Sequence, residues 1–208
     1  MEPVAIGLFF ITSVVIIITP GPDMIYVLTQ GISKGKKAGI LSAIGVVSGL
    51  LIHTIIASFG LGIIITTSRI AYSILKHAGA AYLCYLGFKA IREKSKIEIN
   101  ESKKDFNTSK TFINGLLSNV FNPKIIVFFM AFLPQFIDPN KVNSQKAFLT
   151  LGLVFAIMGA IFLSIIGYMS GRIGALLKKN KTIMKWMNKV AGSIMIGLGI
   201  RLAIEERK

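Results

Sequence analysis

Long apolar runs alternate along this chain with short clusters of charge, the pattern of a polypeptide that crosses a bilayer repeatedly. Six spans are predicted. The first covers Val4 to Leu28. The second lies within Gly39 to Ser68, a stretch free of Asp, Glu, Lys and Arg and long enough to cross with tilt. The third, Ile74 to Ile91, is weaker: it carries Tyr82 and Tyr85 and ends near Lys89, whose stem can snorkel to the interface. The fourth runs from Thr111 to Ile137, the fifth from Ala147 to Gly171 and the short sixth from Val190 to Ile204. Between them, Gly31 to Lys37 reads as a basic turn, Arg69 and Lys76 bracket a short connection, and Asp138-Pro139-Asn140 is a turn. Arg92 to Lys110 is a polar linker without a hydrophobic period, and Arg172 to Lys189 is a basic amphipathic connection with Trp186 as an interfacial anchor. The expected fold is all-α and polytopic. Met1-Glu2-Pro3 lacks the basic start of a cleaved signal peptide, so the first run is expected to be retained.

Two of the spans are interrupted. Thr19-Pro20-Gly21-Pro22-Asp23 places two prolines inside the first, and Asn122-Pro123-Lys124 does the same near the middle of the fourth. Proline removes a backbone donor and clashes with the preceding turn, so each span is expected to split into two half-helices. Freed backbone groups in hydrocarbon are tolerated only where protein or a water-filled cavity satisfies them, which marks both breaks as functional. The breaks also fall at matching places in a weak internal repeat. His77-Ala78-Gly79 followed by Ala90-Ile91 parallels Val190-Ala191-Gly192 followed by Ala203-Ile204, and Gly45 and Gly60 have counterparts in Gly152 and Gly167. Residues 1–91 and 111–208 thus read as two three-span units joined by the polar linker 92–110 within one membrane domain. An odd number of crossings inverts the second copy, and inverted repeats with broken helices are a transporter signature.

Composition changes the picture little, but it excludes alternatives. Of 208 residues 53% are hydrophobic and only 16% charged, too few charges for an ordinary soluble globule. The net charge of +15 does not imply nucleic acid, because most Lys and Arg sit in segments 29–38, 92–110 and 172–189. By the positive-inside rule those segments face the cytoplasm and both termini face away from it. The lone Cys84 allows no intrachain disulfide, thiol pair or cysteine metal site, and it reads as a small apolar filler. No catalytic constellation, Walker loop or metal motif is present, so no enzyme activity, metal or cofactor is expected, and uphill work must draw on an ion gradient or a partner.

The candidate chemistry lies at the breaks. Asp23 offers a carboxylate and Lys124 an ammonium, with Asn122 a natural cap beside Pro123. Together with half-helix starts these groups suit a zwitterion: an α-ammonium at Asp23 and an α-carboxylate at Lys124 and backbone N–H groups. Without substrate the two charges are expected to pair with each other. Asn119 either lines the same cavity or satisfies backbone opened by Pro123. His53 is either a proton relay with Asp23 or a packed residue hydrogen-bonded across helices. Gly45-x-x-x-Gly49 and Gly167-x-x-x-Gly171 permit close helix approach, within the chain or at a dimer seam.

These residues carry a family resemblance. Thr19-Pro20-Gly21-Pro22, followed by Gly35, Gly39, Gly45 and Gly49, resembles the amino-terminal signature of the LysE/RhtB family of amino-acid exporters. Asn119 through Lys124, running on to Phe132-Leu133-Pro134-Gln135-Phe136, resembles its second hallmark, and the likeness covers essentially the whole chain. The resemblance implies export of amino acids or their derivatives from the bacterial cytoplasm across the inner membrane, coupled to protons and carried out by a homodimer. With one evident acid in the cavity, neutral substrates of the threonine, homoserine or leucine type are favoured. The competing readings are a cation exporter of the same superfamily, disfavoured by too few thiols and carboxylates, a thiol-electron carrier, disfavoured by the single cysteine, and a passive channel.

Overall fold

The computed structural model describes residues 3–61, 68–92, 106–137, 144–179 and 181–204, which form eight α-helices with no strand among them. Helix α1 (Pro3–Ile18) stops at the first proline break, and α2 (Pro22–Lys34) restarts at a bend of 48°. Helix α3 (Lys36–Ile56) ends in a π-helical turn, Ala57–Leu61. Helix α4 is Arg69–Arg92, and α5 (Thr108–Val120) starts where the Asn107 side chain accepts the Lys110 N–H at 2.8 Å. The second break bends the chain by 45° into α6 (Pro123–Val127), which continues through a π turn at Phe128–Phe132 and a 3-10 turn at Leu133–Phe136. Helices α7 (Ser144–Lys179) and α8 (Lys181–Ile204) complete the described chain.

Both breaks stand where the prolines predict them. Several connections do not. Gly31 to Lys37 is not an open turn: α2 runs to Lys34, α3 starts at Lys36, and Gly35 alone makes the corner with a φ of 88° that only glycine adopts without strain. Arg69 and Lys76 lie inside α4 and bracket no loop. The basic connection 172–189 is also helical, because α7 runs to Lys179 and α8 begins at Lys181. Long unbranched Lys and Arg side chains favour helix once one is started, so a polar stretch without proline need not be a loop. Residues 108–110 of the predicted linker belong to α5, while 93–105 and the Asp138-Pro139-Asn140 turn lie outside the described residues.

Among the described residues three helical stretches are long and apolar enough to cross a membrane: Lys36–Gly60, Ser144–Leu176 and Lys185–Ile204. Each bent pair adds one if it counts as a single span, which makes five. Helix α4 has the length, 24 residues, but Arg69, Lys76, His77, Lys89 and Arg92 dilute it, the same weakness its sequence carries.

Small residues set the packing. Helices α3 and α7 run antiparallel, with Gly39 against Gly167 at one end and Thr54 against Gly152 at the other. A Cβ on Gly39 would stand 2.5 Å from the Gly167 carbonyl oxygen, so the two backbones meet where no side chain fits. Helices α4 and α8 are likewise antiparallel, with Gly87 against Gly192 and Ala80 against Gly199. Helix α5 runs parallel to α3: Gly45 meets Phe112 and Leu116, and Gly49 meets Asn119. Gly45, Gly49 and Gly167 therefore serve contacts within the chain, whereas nothing within 4 Å would meet a Cβ at Gly171.

These pairings gather the end of α2, the starts of α3 and α5 and the end of α7 at one pole of the bundle, where the Tyr26 hydroxyl donates to the Thr111 carbonyl at 2.9 Å. Lys34, Lys36, Lys110 and Arg172 therefore share that pole. Two apolar clusters fill the interior. One is aromatic, centred on Phe128 stacked on Phe155 at 4.3 Å with Phe9, Phe129 and Phe132 around it. The other is aliphatic, built from Met24, Val27, Leu28, Val46, Leu163 and Ile166 toward the basic pole. The polar site lies between them. Outside, Ile11, Ile55, Ile157 and Ile161 are exposed, the surface expected of a chain solvated by lipid.

Candidate functional site

Each proline break leaves a carbonyl without its helical partner. In α1 the Ile16 carbonyl would accept from residue 20, which is proline. The Lys124 ammonium takes that role: Nζ donates to the Ile16 and Thr19 carbonyl oxygens, both at 2.9 Å. A cation at the carboxyl end of α1 also suits the helix dipole. In α5 the equivalent carbonyl is that of Asn119, whose partner would be Pro123. It accepts from the Asn122 N–H at 2.9 Å and from His53 Nε2 at 3.3 Å, so this nitrogen carries the proton. The His53 ring is stacked on Phe129, 5.5 Å between centroids.

The half-helix starts are built to match. Pro22 and Pro123 each take a first helical position, where the missing N–H costs nothing. Asp23 and Lys124 are the residues that follow. Asn122 caps α6 by accepting the Lys124 N–H at 3.0 Å, and its Nδ2 donates to Asp23 Oδ2 at 2.8 Å. Asn119 Nδ2 donates to the same oxygen at 2.8 Å, while the Ser118 hydroxyl reaches Oδ1 only at 3.4 Å. All four principal residues are buried, with Asp23 6%, Asn119 0%, Asn122 1% and Lys124 7% exposed. Thr19 is held by its hydroxyl donating to the Val15 carbonyl at 2.6 Å, and Gly21 sits under the lysine, where a Cβ would approach Nζ to 3.1 Å.

The two breaks therefore satisfy each other crosswise. In this exchange the Asp23 carboxylate takes its hydrogen bonds from Asn119 and Asn122, and the Lys124 ammonium gives two of its own to α1. Both still line one cavity of about 20 Å³, whose walls include Met24, Val46, Leu50, Ile125, Phe155 and Leu163. That volume holds about one water. Asn119 lines the cavity and gives its side-chain N–H to Asp23, while its own carbonyl is the group that Pro123 leaves open, answered by Asn122 N–H and His53. Its Oδ1 is buried and accepts no hydrogen bond. An unpartnered acceptor beside a carboxylate is what a cationic donor requires.

Ser118 carries no motif of its own along the chain, yet it lies one turn before Asn122 on the face that meets Asp23. Gly49 is the second residue added by the structure. A Cβ there would fall 2.7 Å from both Cβ and Oδ1 of Asn119. Gly49→Ala is expected to displace Asn119 from Asp23 and to raise the half-saturation concentration for transport about tenfold, the effect of about 1.4 kcal/mol. Efflux kinetics at matched protein levels check this, and unchanged kinetics would remove Gly49 from the site. No three His, Cys, Asp or Glu side chains gather into a metal site among the described residues.

Comparison with known proteins adds an independent line. The LysE type translocator family matches residues 14–206. A homoserine/homoserine lactone efflux protein of Salmonella typhimurium is 32% identical over 195 residues, 94% of each chain. An uncharacterised membrane protein of Vibrio cholerae is 30% identical over the same share of both chains, and one of Bacillus subtilis is 30% identical over 90% of this chain and 93% of its own. No solved structure matches the chain.

Proposed function

This chain belongs to the LysE type translocator family, and we propose that it exports neutral amino acids or their derivatives by proton-coupled alternating access. Family and relatives support an exporter of amino-acid type and a multi-pass membrane protein. The observation that carries the finer reading is the buried Asp23 carboxylate sharing one cavity with Asn119, which donates to it through Nδ2 and whose Oδ1 has no partner. Oδ2 of Asp23 is taken by two amides, but Oδ1 has only the long Ser118 contact and remains open to a donor. An α-ammonium has three N–H groups and suits both oxygens. Its carboxylate falls to the positive start of a half-helix, since Lys124 already spends two donors on α1. The apolar walls offer a side chain no second charge, which favours neutral substrates such as the homoserine handled by the Salmonella relative.

A cavity of about 20 Å³ admits no amino acid, so transport requires the helices to part on one side at a time. The aromatic cluster on one side and the aliphatic one on the other are the natural closures. The antiparallel pairing of α3 with α7 and of α4 with α8 supports inverted halves, 1–91 and 111–208, that rock about this site. The basic pole is assigned to the cytoplasm of a bacterial cell by the positive-inside rule. The reading is tested with purified protein in liposomes preloaded with a labelled mixture of neutral amino acids. Selective loss that accelerates under an imposed pH gradient is expected. No movement of any amino acid under any gradient would sink it.

A further inference from the structure

We propose that Lys124 is the proton carrier of the transport cycle, and that its third N–H and the substrate ammonium take turns beside Asp23. This rests on the reading that Asp23 receives the ammonium. The argument is a count of hydrogen bonds. Nζ makes two at the end of α1, to the Ile16 and Thr19 carbonyls. A neutral amine has two N–H groups, so Lys124 can lose one proton and keep both. Lys124 lines the same cavity as Asp23, and the proton it gives up is the one that neither carbonyl holds. The cap of the broken helix thus survives in both protonation states. That is what a repeating cycle needs.

The other titratable groups near the site are committed differently. Asp23 takes two amides on Oδ2, one of which a carboxyl proton there would displace, and its Oδ1, with only the long Ser118 contact, is the oxygen this reading gives to the substrate ammonium. His53, on α3, spends its Nε2 proton on the Asn119 carbonyl and does not line the cavity. On α4, which packs against α6, Cys84 turns to the Ile196 carbonyl of α8 and His77 to Ser73. Asp23, on α2, lines the same cavity as Lys124.

One carboxylate in a buried site balances one positive charge well and two poorly. When a substrate ammonium enters from the cytoplasmic side, an N–H bond of Lys124 breaks and the proton leaves to cytoplasmic water. The amine lone pair then accepts from the arriving ammonium. After the substrate departs outward, Nζ takes a proton from the outer side and the cavity returns with its charge balance restored. One zwitterion moves out and one proton moves in, so the cycle carries net charge and responds to membrane potential as well as to pH.

The test uses full-length protein in liposomes and the same labelled neutral amino acids, with a trapped pH dye. Wild type is expected to admit one proton per substrate extruded. Lys124→Gln presents two amide N–H groups to the carbonyls but cannot titrate. Its gradient-driven concentration ratio is expected to fall to unity and the dye signal to disappear, while substrate counterflow, slowed by loss of the amine that receives the ammonium, stays measurable. Lys124→Arg keeps the cap and a permanent charge in the cavity, and it is expected to be blocked in both assays. A merely structural lysine predicts the reverse order, with arginine rescuing and glutamine failing. Coupled export by either variant, or loss of counterflow in Lys124→Gln, overturns the proposal. Inactivity of wild type toward every amino acid would instead mark failure of the transport reading itself.

Discussion

Asp23→Asn is expected to abolish export at unchanged protein level. The carboxylate organises the site through the amides of Asn119 and Asn122, and it is the one charge in the cavity able to receive an ammonium. An asparagine there keeps the size and one acceptor oxygen, so both amides stay partnered and the fold survives. What is lost is the charge opposite a buried cation. Removing one partner of such a pair costs about 3–5 kcal/mol, which corresponds to a loss of binding of about two to four orders of magnitude. Counterflow in liposomes, with purified yield and melting temperature alongside, checks this. Wild-type rates in Asp23→Asn would retire the anchor.

Lys124→Ala is expected to strike folding as well as transport. The substitution strips the Ile16 and Thr19 carbonyls of their shared donor, and Pro20 ensures that the helix cannot supply another to Ile16. A buried polar group left unpaired costs about 1–3 kcal/mol, and water entering the vacated space recovers only part of it. A fall in melting temperature of at least about 5 °C in detergent is expected, together with loss of export. The same substitution at Lys185, which is exposed at the basic pole, should change neither. Wild-type stability of Lys124→Ala would show that α1 needs no cap from the second break.

Which residues matter was largely readable before any fold was seen, and what they bond to was not. Pro20, Pro22 and Pro123 announce their breaks because a missing N–H and a fixed φ act on the local chain whatever surrounds it. Asn122 before Pro123 likewise announces a cap, and it caps. By contrast, the crosswise bonds join residues 96 to 108 positions apart, and no pattern along the chain sets which of several polar groups will meet. The direct Asp23–Lys124 pair was the natural expectation from charge alone. Charge alone does not indicate that the second break brings amides to the carboxylate while the first brings bare carbonyls to the ammonium.

The same division explains the smaller departures. A basic stretch at 172–189 resembles a loop when charge is read by itself, yet it is helix through Lys179 and again from Lys181, since lysine-rich sequence is a good helix former beside a packed partner. Gly49 is one of many membrane glycines until Asn119 is found against it. Residue chemistry alone determined the all-helical membrane class, the two broken helices and the polar residues that gather at them, because hydropathy and proline geometry are properties of the local chain. Only the tertiary structure decided that each break completes the other and that Asn119 keeps an oxygen free. Hydrogen-bond partners are chosen by how helices distant in sequence cross in space.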